Sequence, residues 1–310
     1  MKLLVTGSRG FVGGSVGRFA SHAGHDVLGV ARSSQPEPDW PGRYLQADVL
    51  HAPLADVIAD FAPDVVLHGA GTASVGASLH APLEDLRAAV LTWANTLESI
   101  RLSGVRPVVL FPSSAAVYGN PVVLPVPEDA PVAPVSPYGF HKAACELIAR
   151  EYAECFGLTV IACRLFSLFG VRQRRLLVWE LFEQMQGLEL TVWLQGTGQE
   201  SRDYLHIADL ADALLGVAAH PATTVRRGTL QVLNLASGLE TPVLNLAHQM
   251  QMLMGADKPV ACRGVDRPGN PARWAADVTP LRALLPNWQP RSLTDGLRDC
   301  LTAWRAAQPN

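Results

Sequence analysis

Lys2-Leu-Leu-Val-Thr6-Gly7-Ser-Arg-Gly10-Phe-Val-Gly13 is the stretch that decides the fold. A short apolar run of strand character enters three glycines spaced three apart, and a helical pattern over Phe11–Ala23 follows. Glycines at these positions permit a tight turn and let backbone N–H groups and a helix N-terminus approach a pyrophosphate. Glycines also serve simple turns, but a glycine loop between a first strand and a first helix points to dinucleotide binding. Working outward, Asp26–Ala31, Tyr44–Ala47, Asp64–His68, Pro107–Phe111 and Thr159–Leu165 read as further strands. Glu84–Ser103 and Pro137–Phe156 read as long helices. This βαβ rhythm with continuous Val/Leu runs predicts an α/β fold, a Rossmann-type doubly wound parallel sheet covered on both faces. After about Phe169 the rhythm turns irregular and proline-punctuated, ending in an amphipathic helix near Leu293–Ala306. The expected division is a dinucleotide-binding domain over 1–168, with part of 203–235 returning to it, and a smaller mixed α/β substrate domain over 169–310.

Composition excludes several classes. With 310 residues, 48% of them apolar and 17% charged, the chain can bury a large core. A net charge of -3 gives no electrostatic case for nucleic acid or an anionic membrane. Cys145, Cys155, Cys163, Cys262 and Cys300 show neither metal-ligand spacing nor a disulfide framework, so reduced thiols and no metal site are expected. No apolar run reaches membrane-spanning length, and Met1-Lys-Leu-Leu-Val enters a glycine turn too soon for a signal peptide. The expectation is a soluble cytoplasmic protein.

The end of the second strand bears on the choice of dinucleotide. An acid there accepts from the ribose 2′-hydroxyl of NAD, whereas arginine suits the 2′-phosphate of NADP. The strand ends Ala31-Arg32-Ser33-Ser34 without an acid, and Arg9 in the glycine loop could meet Arg32 across one phosphate. NADP(H) is favoured, with NAD(H) open and two surface arginines as the plain alternative. Asp48 is either a partner for the adenine amine or a cap for the segment after Leu50.

Ser136-Pro-Tyr138-Gly-Phe-His-Lys142 carries the chemistry. At i and i+4 on a helix, a phenol and an ammonium share one face and can reach one reacting atom. Phenols ordinarily titrate near 10 and are poor bases at neutral pH, but a cation held beside one favours the phenolate. Such a pair also arises by chance on solvated helices; its position downstream of the glycine loop gives it meaning.

Taken with His68-Gly-Ala-Gly71, Val75-Gly76-x-Ser78, Ser113-Ser114-Ala-Ala-Val-Tyr118-Gly119, Arg164-Leu-Phe-Ser-Leu-Phe-Gly170, Arg202-Asp-Tyr-Leu-His206-x-x-Asp209 and Trp288-Gln-Pro-x-Ser-Leu-x-x-Gly296, the chain resembles the extended short-chain dehydrogenases/reductases that modify nucleotide sugars. That resemblance implies a catalytic triad of Ser114, Tyr138 and Lys142, with Ser114 binding the substrate oxygen and Lys142 also binding the nicotinamide ribose. It implies cofactor contacts from Gly7, Arg9, Gly10, Phe11, Val12, Gly13, Arg32, Ser33, Asp48, Val49 and Ala70. Ser113, Ser167, Arg202 and Arg267 are the implied substrate contacts, with Ser113 also read as a supporting or cofactor-proximal hydroxyl and the two arginines holding a nucleotide diphosphate. A homodimer is expected.

The chain also departs from the family pattern. Ser167 replaces a usual asparagine, and Val171-Arg172 replaces Pro-Gly after Gly170. Ala89-Val-Leu-Thr-Trp93 lacks the polar anchor of Asn-Val-x-Gly-Thr, and Asn95 is not assigned to replace it. Ala115 and Ala116 stand where sugar 4,6-dehydratases carry an Asp-Glu pair, which argues against water elimination. Arg172-Gln-Arg174-Arg175 either adds phosphate affinity or is a solvated loop. The leading expectation is an NADP(H)-dependent 4-ketoreductase of a nucleotide-linked keto-deoxysugar. The alternative is a 4-epimerase with NAD. A non-catalytic dinucleotide-sensing protein is the remote reading, since it would have no need of the triad.

Overall fold

The computed structural model describes residues 1–225, 228–264 and 271–307. Its first half alternates β1 (Lys2–Thr6), α1 (Phe11–His22), β2 (Asp26–Ala31), β3 (Arg43–Gln46), α2 (Ala55–Phe61), β4 (Val65–His68), α3 (Val75–His80), α4 (Pro82–Leu86), α5 (Thr92–Ser103), β5 (Val108–Ser114), α6 (Pro137–Phe156) and β6 (Thr159–Leu165). The second half comprises β7 (Ser167–Phe169), α7 (Leu176–Gln186), β8 (Val192–Leu194), β9 (Ser201–His206), α8 (Ile207–Ala219), α9 (Pro221–Val225), β10 (Leu230–Leu235), β11 (Glu240–Pro242), α10 (Val243–Met254), β12 (Val260–Cys262), α11 (Thr279–Leu284) and α12 (Leu293–Ala306).

Seven strands form one parallel sheet in the order β10-β6-β5-β4-β1-β2-β3. The doubly wound architecture expected from the strand rhythm is therefore present. Because side chains alternate along a strand, β1 sends Leu3 and Val5 into one core and Leu4 into the other. The first core is closed by α1 and α8, the second by Ile58, Trp93, Leu97 and Cys145 from α2, α5 and α6. Burial on both faces is why these strands read as unbroken apolar runs. The edge strand β10 pairs with β6, in register from Leu230 against Val160 to Leu235 against Leu165.

A second cluster of elements follows β6 in the chain. It holds the small sheets β11-β9-β7 and β12-β8 around Phe169, Leu181, Phe182, Leu246 and Trp304. The expected helix 84–103 is in fact three pieces: α4, a π turn over Arg87–Leu91, and α5. The Thr92 hydroxyl donates to the Ala88 and Ala89 carbonyls at 2.6 and 3.2 Å, where the wider turn meets the helix. No helix among the described residues is long and apolar enough to cross a membrane.

Candidate active site

The glycine loop is packed backbone to backbone. Gly7 has φ +66, and a Cβ there would lie 2.4 Å from the Gly69 carbonyl carbon. One on Gly13 would lie 2.6 Å from the Gly7 oxygen. The loop thus folds against the end of β4 only because both positions lack side chains. Helix α1 starts at Phe11 after Gly10 with no side-chain cap and no acid in its first turn. By contrast α3, α6 and α12 are capped by Ser74, Ser136 and Ser292. The uncapped donors and positive dipole end of α1 fit a pyrophosphate. This cradle is where Gly7, Gly10, Phe11, Val12 and Gly13 are brought together.

Of the two arginines read as a 2′-phosphate site, the structure pairs Arg9 with other groups. Arg9 donates from Nε to Glu37 Oε1 at 2.9 Å and from a terminal nitrogen to the Gln35 carbonyl at 3.1 Å. Arg32 is exposed, and its side chain makes no ion pair among the described residues. Glu37, from the loop after Ser33 and Ser34, thus occupies the guanidinium expected to meet a 2′-phosphate. A carboxylate six residues beyond the strand end is not visible as a strand-end signal. The preference for NADP(H) accordingly loses its support.

Asp48 and Val49 follow β3. The Asp48 carboxylate accepts from the Leu50 N–H at 3.0 Å, the local capping alternative, although the turn it closes precedes α2 rather than starting it. Val49 is buried. Asn95, left unassigned from sequence, donates to the Leu50 carbonyl at 2.6 Å and fastens this loop. Ala70 donates its N–H to the Thr6 hydroxyl at 3.3 Å, tying the end of β4 to β1.

Ser114 ends β5, and its hydroxyl accepts from the Ala116 N–H at 3.2 Å, starting the 3-10 turn Ala115–Tyr118. Tyr138 lies in the first turn of α6, after the Ser136 cap and Pro137. Gly139 lets that turn press on the 3-10 segment, since a Cβ there would sit 2.6 Å from the Ala116 oxygen. Ser78, a residue sequence reading left without a role, accepts from the Tyr138 N–H at 3.1 Å and donates to the Val75 carbonyl. One turn along α6, Lys142 is buried with Nζ 2.7 Å from the Pro112 carbonyl, 4.8 Å from the Phe111 ring and 5.8 Å from the Tyr138 ring. His141 between them contacts Asp85 at 2.6 Å and secures α6 against α4.

Behind this group lies His68, whose Nδ1 is 3.2 Å from the Thr6 hydroxyl and 3.0 Å from that of Thr96. Burial and then the charge of Lys142 push its pKa down to about 3, so it remains neutral.

The expected substrate residues fare differently. Ser113 points away from Ser114: its hydroxyl donates to Glu146 at 2.6 Å, and Glu146 is held by a two-pronged contact from Arg164. It therefore belongs to a buried ionic cluster under the sheet rather than to the substrate surface. Ser167 is half-buried on β7, in register with Tyr204 on β9. Arg202 is buried on β9, donating to the Ser201 carbonyl at 2.6 Å with its guanidinium 5.3 Å from the Trp274 ring. Burial lowers its pKa. Arg267 lies outside the described residues. Among the described residues no group of three or more His, Cys, Asp or Glu is placed to hold a metal.

Comparison with known proteins extends this geometry. Residues 3–235 match the profile of the NAD dependent epimerase/dehydratase family. A UDP-glucose 4-epimerase of Mycolicibacterium smegmatis is 31% identical over 98% of this chain and 99% of its own length. The structure of MoeE5 in complex with UDP-glucose and NAD superposes with a TM-score of 0.88 at 28% identity, covering 99% of each chain. That of the Thermotoga maritima UDP-glucose 4-epimerase with UDP-glucose gives 0.88 at 26% identity, also covering 99% of each. These likenesses favour the epimerase alternative over the leading ketoreductase expectation.

Proposed function

The chain belongs to the NAD dependent epimerase/dehydratase family, and from that premise we propose that it is an NAD-dependent 4-epimerase of a UDP-linked sugar. One observation carries the reading: a chain with an uncapped glycine-loop helix, Ser114 at the end of β5 and Tyr138 and Lys142 one turn apart on α6 is related end to end to UDP-glucose 4-epimerases. The pairing of Arg9 with Glu37 engages one of the two guanidinium groups that an NADP 2′-phosphate would need, and the NAD-bound relatives support NAD.

A nicotinamide held by the glycine loop would supply the hydride acceptor and donor for a sugar carbinol carbon. Tyr138 takes and returns the proton of the hydroxyl on that carbon. Ser114 donates a hydrogen bond to the same oxygen and holds it against the phenol. Lys142, on the same face of α6 with its ammonium 5.8 Å from the Tyr138 ring, would hold the cofactor ribose. Arg202 is the proposed diphosphate contact: a buried cation can replace part of the hydration that a dianion loses in a cleft. Ala115 and Ala116 leave no carboxyl pair after Ser114 for water elimination.

The test is conversion of UDP-galactose to UDP-glucose by purified protein without stoichiometric cofactor, with the mass of released dinucleotide read alongside. Tyr138→Phe should lower turnover at least about a hundredfold while dinucleotide affinity stays close to wild type. Stoichiometric NADPH consumption with a 4-keto nucleotide sugar, and no epimerisation, would establish the reductase instead.

A further inference from the structure

The loop after β7 reaches back over the glycine loop. Arg172 donates to Asp39 at 2.9 Å and to Glu37 at 3.2 Å, across more than 130 residues of chain. Each acid is shared with the first domain: Glu37 also holds Arg9, and Asp39 holds Arg18 of α1 at 2.5 Å. The root of the loop is fixed on the other side. Trp304 Nε1 donates to the Val171 carbonyl at 2.6 Å, and the Arg174 guanidinium lies 4.6 Å from the Trp179 ring. Between loop and glycine turn is a cavity of about 290 Å³, with Gly10, Phe11, Arg9 and Glu37 on one wall and residues 172–175 on the other.

We propose that Arg172 is a cofactor-retaining residue, an ion-pair strap that ties the 171–175 loop to Glu37 and Asp39 across the pyrophosphate cradle. The inference rests on the reading that the glycine loop binds a dinucleotide. Gly10 and Phe11, where the pyrophosphate belongs, line the same cavity as residues 172–175, so in this arrangement the loop flanks a bound dinucleotide and its release is eased by parting Arg172 from both acids. Other contacts of the loop, from Gln173 to the Leu168 carbonyl and with Trp179 and Trp304, are made to its own side of the cavity. An enzyme that returns the hydride to the same substrate has no need to exchange its cofactor each turnover, so slow release suits the proposed reaction. Both ion pairs are partly exposed, so added salt screens them.

The experiment is displacement of bound NADH by excess NAD, followed by NADH fluorescence in a stopped-flow instrument. Arg172→Ala should release NADH roughly three- to tenfold faster than wild type, the range expected for losing partly exposed pairs. Salt should accelerate release from the wild type and have little effect on the variant. Arg172→Lys, which keeps the charge but loses the fork, should fall between them. In a cycle with Glu37→Gln the two effects should be non-additive. Equal release rates for wild type and Arg172→Ala, or equal salt dependence, overturn the strap while leaving dinucleotide binding intact. A wild type that binds neither NADH nor NADPH overturns the cofactor reading and the strap with it.

Discussion

Ser113 and Ser114 are chain neighbours, and strand alternation sends their hydroxyls to opposite faces, one into the Glu146–Arg164 cluster and one to the start of the 3-10 turn. Sequence reading could name Ser114 from its neighbours but had no way to see that Glu146 waits behind Ser113, 33 residues along the chain. The same limit applies to Arg9, whose local context suggests a phosphate and whose folded partner is Glu37. His68 shows a consequence that only burial creates. Its pKa lies near 3 in the fold, against an ordinary value of 6.5 once unfolded. Above pH 6.5 it is neutral in both states, and the full stability is present. As pH falls through the window between 6.5 and 3, the unfolded chain gains a proton that the folded one refuses, so stability is lost on acidification. Each unit in that window costs about 1.4 kcal/mol per such group. Urea unfolding at pH 7 and pH 5 should therefore show His68→Asn losing roughly 2 kcal/mol less than wild type on acidification. Equal losses would mean that His68 is protonated in the fold or already neutral in the unfolded chain.

Elements were most legible where one physical demand wrote the pattern. Strands β1, β2, β4 and β6 had to be apolar on both faces, and α6 carries its own start signal in Ser136-Pro137, so these segments were read close to their true bounds. The π turn Arg87–Leu91 was not legible, because a local widening inside a helix barely disturbs a 3.6-residue period. The glycine loop lies between these cases: its sequence announces a turn, while its need for glycine comes from β4. That distinction can be measured. Gly7 and Gly24 both have positive φ, yet a Cβ on Gly24 would meet nothing within 4 Å. Gly24→Ala should cost only the left-handed backbone penalty, about 1 kcal/mol. Gly7→Ala adds a clash with the backbone of Gly69 and Ala70 and should cost at least about 3 kcal/mol, with dinucleotide binding lost. Urea denaturation of the two variants compares them directly, and equal losses would remove the close-packing account of Gly7.

At the scale of the whole molecule, the contacts that assemble the site join parts of the chain that local patterns cannot relate. Arg172 meets Asp39, and Trp288 donates to the Asp209 carbonyl at 3.1 Å, each across a long span of sequence. The outer surface poses the same problem in reverse, because a face meant for another chain reads as a local oddity. Phe140 and Leu147 stand seven residues apart on α6, and Leu91 and Leu102 eleven apart along the π turn and α5, so each pair shares one helix face. All four are exposed, Leu147 at 66%, while the opposite faces of the same helices fill the core with Trp93, Leu97 and Cys145. Adjacent helices with outward apolar stripes suit a twofold interface, in which the same patch meets itself. The homodimer expected from the sequence should therefore form through α5 and α6, giving a particle of twice the 33.2 kDa chain mass by light scattering. Leu147→Glu places a charge in the middle of that contact and should yield monomers with an unchanged circular dichroism spectrum. A wild-type monomer would remove the dimer itself, and a Leu147→Glu dimer as tight as wild type would move its interface to another face.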